Sequence, residues 1–90
     1  MTIQLEIVTP EKRLLENVSA DYVEIPGKGG RLGIYPGHAP LITEIDAGEL
    51  SYHQKGEIKR LEVTGGFAEV LPEKITILAE KAEAIDVTRA

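Results

Sequence analysis

With 90 residues and a net charge of −5, the chain has room for one domain with a single modest core, and its charge counts against nucleic acid and anionic membrane surfaces, which need a basic face. Three tyrosines, one phenylalanine and no tryptophan offer little for base stacking. The lack of cysteine removes a disulfide framework and a thiolate metal site, which is compatible with a reducing cytosolic compartment.

No apolar run is long enough to span a bilayer, and the first six residues lack the basic and apolar regions of a signal peptide. Ile3, Leu5 and Ile7 alternate with polar residues, the period of a half-buried antiparallel strand. Thr9-Pro10-Glu11-Lys12 breaks the strand as a turn. A weaker strand over 13–18 and a stronger one over 19–25 follow, then a turn at Pro26-Gly27-Lys28-Gly29-Gly30 and a short strand over 32–34.

The stretch from Gly29 to Leu41 organises the rest. Pro36 removes a backbone donor and Gly37 permits positive φ, so the chain leaves any sheet there. Pro40 restricts Ala39 to extended backbone before Leu41 and Ile42 resume a strand. Such a loop has little freedom to lose on binding, which favours a docking surface over a catalytic pocket.

Strands are predicted over 41–45, 49–54 and 57–63, the last two flanking a Lys55-Gly56 hairpin turn. The apolar period slips near Lys59 and Arg60, which predicts a bulge. Gly65-Gly66 predicts a bend, after which strands over 67–71 and 74–79 close around Pro72-Glu73. The result is about nine strands with no helical period before residue 80, the pattern of an all-β sandwich or flattened barrel. The expected core is aliphatic: Ile3, Leu5, Val23, Ile25, Leu32, Ile42, Leu61, Val63, Phe67, Val70, Ile75 and Ile77.

Composition changes at the end. Residues 80–84 have low β and good helix propensity, and Asp86 reads as an N-cap to a first helical turn over 87–90. Four residues cannot hold a helix alone, so the sequence predicts the start of a segment that is truncated or naturally short.

Catalytic chemistry is not visible in the spacing. His38 and His53 are far apart, no serine has a nucleophile-elbow context, and no metal-ligand spacing occurs. The glycine cluster fails as a phosphate loop, because Leu32 stands where a third glycine is needed and no helix follows. Glu44 and Asp46 share a strand face and read as a solvated edge.

The run Gly30-Arg31-Leu32-Gly33-Ile34-Tyr35-Pro36-Gly37-His38-Ala39-Pro40-Leu41-Ile42-Thr43 resembles the signature of the epsilon subunit of bacterial and chloroplast F-type ATP synthases. Leu5-Glu6-Ile7-Val8-Thr9-Pro10, Val63-Thr64-Gly65-Gly66-Phe67-Ala68-Glu69-Val70 and Pro72-Glu73-Lys74-Ile75-Thr76-Ile77-Leu78-Ala79 resemble three further segments in order and register. The resemblance implies a flattened antiparallel β-sandwich of about ten strands over 1–84. Residues 85–90 would begin a C-terminal helical hairpin that is missing or truncated here. It also implies a non-catalytic rotor subunit, clamped between the gamma subunit and the c-subunit ring, that couples proton translocation to ATP synthesis. No cofactor is required for that role.

By position, Tyr35, His38, Ala39 and Thr43 would face gamma, and Lys28, Gly30, Arg31 and Leu32 the c ring. Arg31 departs from the family, whose members often carry Glu or Gln there. The implied location is peripheral, on the cytoplasmic face of a bacterial membrane rather than a chloroplast thylakoid. The alternative is an ATP-sensing regulatory role. Ile85-Asp86-Val87-Thr88-Arg89-Ala90 resembles the I/L-D-x-x-R-A motif, with Glu80 as its acidic partner, and the remaining ligands would lie in helices absent from this chain.

Overall fold

Ile3, Leu5 and Ile7 all lie on the inner side of β1 (Ile3–Val8), fully buried, as their alternation requires. The computed structural model describes the backbone of residues 1–89 and the side chains of residues 1–85. β1 is followed by β2 (Arg13–Ala20), β3 (Tyr22–Gly27), β4 (Gly30–Ile34), β5 (Leu41–Ile45), β6 (Gly48–Gln54), β7 (Glu57–Val70) and β8 (Lys74–Arg89). No helix occurs among the described residues.

Two long strands build the sandwich. The first half of β7 pairs with β6 and its second half with β5, while β8 runs antiparallel to β7 along its other edge. One layer is therefore β2, β1, the start of β8, the end of β7, and β5; the other is β4, β3, β6, the start of β7, and the end of β8. Counting β7 and β8 once in each layer makes five members per layer, which reconciles eight continuous strands with an expectation of about ten.

The bend at Gly65 and Gly66 explains the difference. Both have positive φ (30° and 140°), and a Cβ on Gly66 would stand 2.9 Å from the Leu78 carbonyl carbon and 3.0 Å from Ala79 Cα. Glycine lets the two backbones press together here, so the chain turns from one layer to the other without leaving the ladder. The sequence predicts two strands where one bent strand exists.

Other departures have equally local causes. β1 pairs with β8 in parallel, closing the first strand against the last in a sheet that is otherwise antiparallel. The Lys55-Gly56 turn has φ of 50° and 79°, the positive pair that a tight hairpin needs. The expected bulge lies between Arg60 and Leu61 in the β7–β8 register, but its extra residue is Ile85 on the partner strand.

The boundary between β2 and β3 falls at Asp21, later than predicted, because β2 carries its own irregularity where Asn17 adopts a φ of 51°. Where the sequence predicts Asp86 capping a helical turn over 87–90, β8 continues in register to Arg89; Ala90 lies outside the described residues. Weak local propensity loses to a ladder already offered by β7.

The core is aliphatic as expected, and Ile34, Ile45 and Leu50 join it. Two expected members do not. Ile42 and Phe67 are 71% and 52% exposed, because each points to the outer face of the β5–β7–β8 layer. Leu32 is only partly buried, packed at the core's margin.

Candidate functional site

The loop after β4 is braced at each end. Gly37, at φ 91°, donates its N–H to the carbonyl of Pro72 at 2.8 Å, tying the loop to the β7–β8 turn. His38 donates its N–H to the Tyr35 carbonyl at 3.2 Å, and its Nδ1 lies 2.6 Å from the Ala39 carbonyl, so Nδ1 carries the proton. His38 is thus engaged in its own turn, while Ala39 is exposed and Tyr35 is 66% exposed.

At the tip of the β3–β4 hairpin, Lys28 donates its backbone N–H to the Glu44 carbonyl (3.0 Å) and its Nζ to Glu44 Oε2 (3.0 Å). That hydrogen bond, with the Glu44 charge, holds the ammonium above its ordinary pKa. Arg31 contacts Glu24 Oε1 through both Nε and a terminal nitrogen, each at 3.1 Å. Gly30, Arg31 and Leu32 line a shallow groove with Thr43.

The eight residues proposed from the sequence therefore fall into two groups at opposite ends of β4, and the division differs from the expected one. Tyr35, His38 and Ala39 share the base of the hairpin. Thr43 lies instead beside Lys28, Gly30, Arg31 and Leu32, with its hydroxyl donating to the Glu44 carbonyl at 3.1 Å. The reason is the strand period: Ile42 and Glu44 point outward from β5, so Thr43 points the other way.

The expectations for ATP binding fall partly outside the described side chains. Asp86 and Arg89 are described only as backbone, paired with Arg60 and Glu57. Glu80 is exposed near the crossover, its Oε1 3.1 Å from where a Cβ on Gly65 would stand. Along an extended strand, positions 80 and 86 are about 20 Å apart.

The sequence reading missed an exposed apolar feature. Glu44, Phe67, Leu78 and Val8 stand opposite one another across β5, β7, β8 and β1, and Ile42 lies two pairs along from Phe67 on the same face. Phe67 and Leu78 are 52% and 54% exposed, so with Ile42 they form an apolar patch on the outer face. Alternation alone signals it: in 67–70, Phe67 is out of phase with the inward Ala68 and Val70.

Known proteins share both the sequence and the fold. The family described as "ATP synthase, Delta/Epsilon chain, beta-sandwich domain" matches residues 2–85. The ATP synthase epsilon chain of Koribacter versatilis (strain Ellin345) is 59% identical over 92 residues, covering 99% of this chain and 64% of that protein. That of Granulibacter bethesdensis (strain ATCC BAA-1260 / CGDNIH1) is 50% identical over 82 residues, covering 90% of this chain and 60% of that protein.

This chain thus spans less than two thirds of the length of these relatives. A chain in the Euglena gracilis mitochondrial ATP synthase structure (OSCP/F1/c-ring in rotational state 1) superposes with a TM-score of 0.87 at 22% identity, covering 94% of this chain and 56% of that one. A chain in the Tetrahymena thermophila mitochondrial ATP synthase structure (central stalk/c-ring) gives 0.72 at 17%, covering 99% and 67%. At these identities the structural likeness establishes the fold.

Proposed function

The chain belongs to the ATP synthase delta/epsilon-chain β-sandwich family, and from that membership we propose that it is a non-catalytic rotor element of the central stalk, docking gamma onto the c ring and coupling proton translocation to ATP synthesis. The family match ends at residue 85, which supports taking 1–84 as the rotor domain. In this reading the protein sits peripherally on the cytoplasmic face of a bacterial membrane. No helix among the described residues is long and apolar enough to cross one.

The observation that carries the reading is the apolar patch of Ile42, Phe67 and Leu78 on a sheet whose two longest strands are shared by both layers. A rotor coupling must pass torque without bending, and a ladder that continues from one layer into the other suits that task. Exposed apolar side chains grouped on such a face suit a lasting protein interface better than a substrate pocket. The loop bearing Tyr35, His38 and Ala39 enters β5 just before Ile42 and is the second element of the gamma surface in this reading. The hairpin tip at Lys28, Gly30, Arg31 and Leu32 faces the c ring, and Thr43 belongs with that group by its placement.

The test is binding to purified gamma. Phe67→Asp with Leu78→Asp adds charge to the patch without entering the core and is expected to weaken binding about 100-fold, the scale of a lost hot spot. Circular dichroism should stay that of the wild type. Unchanged affinity in this folded double variant overturns the assignment of the patch to gamma.

A further inference from the structure

The outer face of the other layer carries an arrangement that docking alone does not explain. Tyr22 stands opposite His53 on β6, and on its other side its ring lies against Tyr35, just beyond the end of β4. The Tyr22 and Tyr35 centroids are 4.6 Å apart with an interplanar angle of 44°, and the His53 ring meets Tyr22 edge-on at 5.2 Å. A row of three rings therefore runs across the face, with Tyr22 in the middle.

Gly33 makes room for it. A Cβ at position 33 would overlap Tyr22 Oη and stand 3.0 Å from Cζ. Gly33 is absent from the positive-φ positions, so its backbone does not require glycine. What requires glycine is the tyrosine ring lying over it, an aromatic cover for a bare edge-strand position. Beyond Gly33, the chain passes through Ile34 to Tyr35 and straight into the loop held by the Gly37 and His38 amides.

We propose that Tyr22 is a positioning residue for the loop at 35–40: seated over Gly33, its ring braces Tyr35 and thereby fixes the turn formed by Gly37 and His38. Tyr35 is 66% exposed, so without a neighbour its ring would sample several rotamers and the loop would start from a freer backbone. Stacking on Tyr22 removes that freedom before any partner arrives, which lowers the ordering cost of binding. The phenol hydroxyl plays little part, since the hydrogen bond it donates to Glu24 Oε2 is long, at 3.5 Å.

The inference concerns the loop itself and leans on the docking reading only for the consequence to gamma. Amide hydrogen exchange of the whole chain, without partner, reads it directly at Gly37 and His38. Tyr22→Ala is expected to speed exchange at these two amides about 3- to 10-fold, the range of one lost aromatic pair, and to leave amides of the β1–β8 ladder unchanged. Tyr22→Phe should match the wild type.

Gly33→Ala keeps every aromatic residue but pushes the Tyr22 ring off its seat, and should reproduce the Tyr22→Ala effect. The two together should be no worse than either alone, as residues sharing one interaction require. Unchanged exchange in both single variants, or a uniform rise along the whole chain, overturns the brace; so does a Tyr22→Phe variant as fast as Tyr22→Ala. If the loop loosens as expected while affinity for gamma stays the same, the brace stands and the assignment of the loop to gamma falls.

Discussion

The two outer faces of this sandwich treat their large side chains in opposite ways. On the β5–β7–β8 face, Ile42, Phe67 and Leu78 stand exposed, with Lys28 and Glu44 paired at the margin. On the β3–β4–β6 face, Tyr22 packs against Tyr35 on one side and His53 on the other, and Arg31 holds Glu24. The first face leaves apolar surface uncovered by the described residues; on the second, the side chains satisfy one another. A face of the first kind gains by covering its surface with a partner, and one of the second kind gains by ordering the backbone beneath it. On the proposed reading, the docking patch and the brace lie on two sides of one small body.

That contrast depends on both layers belonging to one rigid unit, so the largest effect is expected where they join. Gly66→Ala would force a Cβ against the backbone of Leu78 and Ala79 at a φ of 140°, and should cost about 3 kcal/mol or more in denaturant unfolding. A fully stable Gly66→Ala variant would mean that the crossover is looser than the ladder implies, and the two faces would then be separable.

A smaller effect sharpens what lies between the faces. Burial raises the Tyr52 phenol above its ordinary pKa, and burial does the same for Tyr22, helped by the Glu24 carboxylate. Since the folded pKa is the higher one, the unfolded chain loses these protons first as pH rises. Stability is then full below about pH 10 and declines above it. Unfolding followed from pH 8 to 11 should show that decline, and Tyr52→Phe should reduce it.

The smallest effect separates ornament from docking on the self-satisfied face. The Arg31–Glu24 pair is solvent-exposed on both sides, with side chains 45% and 37% accessible. Arg31→Ala should lower stability by only about 0.2–1 kcal/mol. Affinity for gamma should not change, and a loss comparable to that of the Phe67 and Leu78 variant would show that this face docks gamma as well.

Much of this was legible in the residues. Alternation at Ile3, Leu5 and Ile7 names the buried side of β1, and Lys55-Gly56 names its own turn. The loop at 35–40 reads as stiff from Pro36, Gly37 and Pro40, and its amides are held as that reading implies. Ile42 and Phe67 were misplaced because an apolar residue type does not say which face of a two-faced strand it occupies. Thr43 lies beside Gly30, Arg31 and Leu32, away from the loop at 35–40, for the same reason. Gly33 lies in the predicted strand over 32–34 with no role assigned to it there, whereas it is the seat of a tyrosine eleven positions earlier in the chain.

By itself, the order of residues determined the all-β class, the turns, most of the aliphatic core and, through its long motifs, the family. Those features rest on interactions between near neighbours, or on patterns that repeat along the chain. Only the folded arrangement decided that β7 and β8 pass through both layers, that the tail extends β8 instead of beginning a helix, and which apolar side chains face outward. Each of these depends on which strand lies alongside, a contact between distant residues that local propensity does not encode.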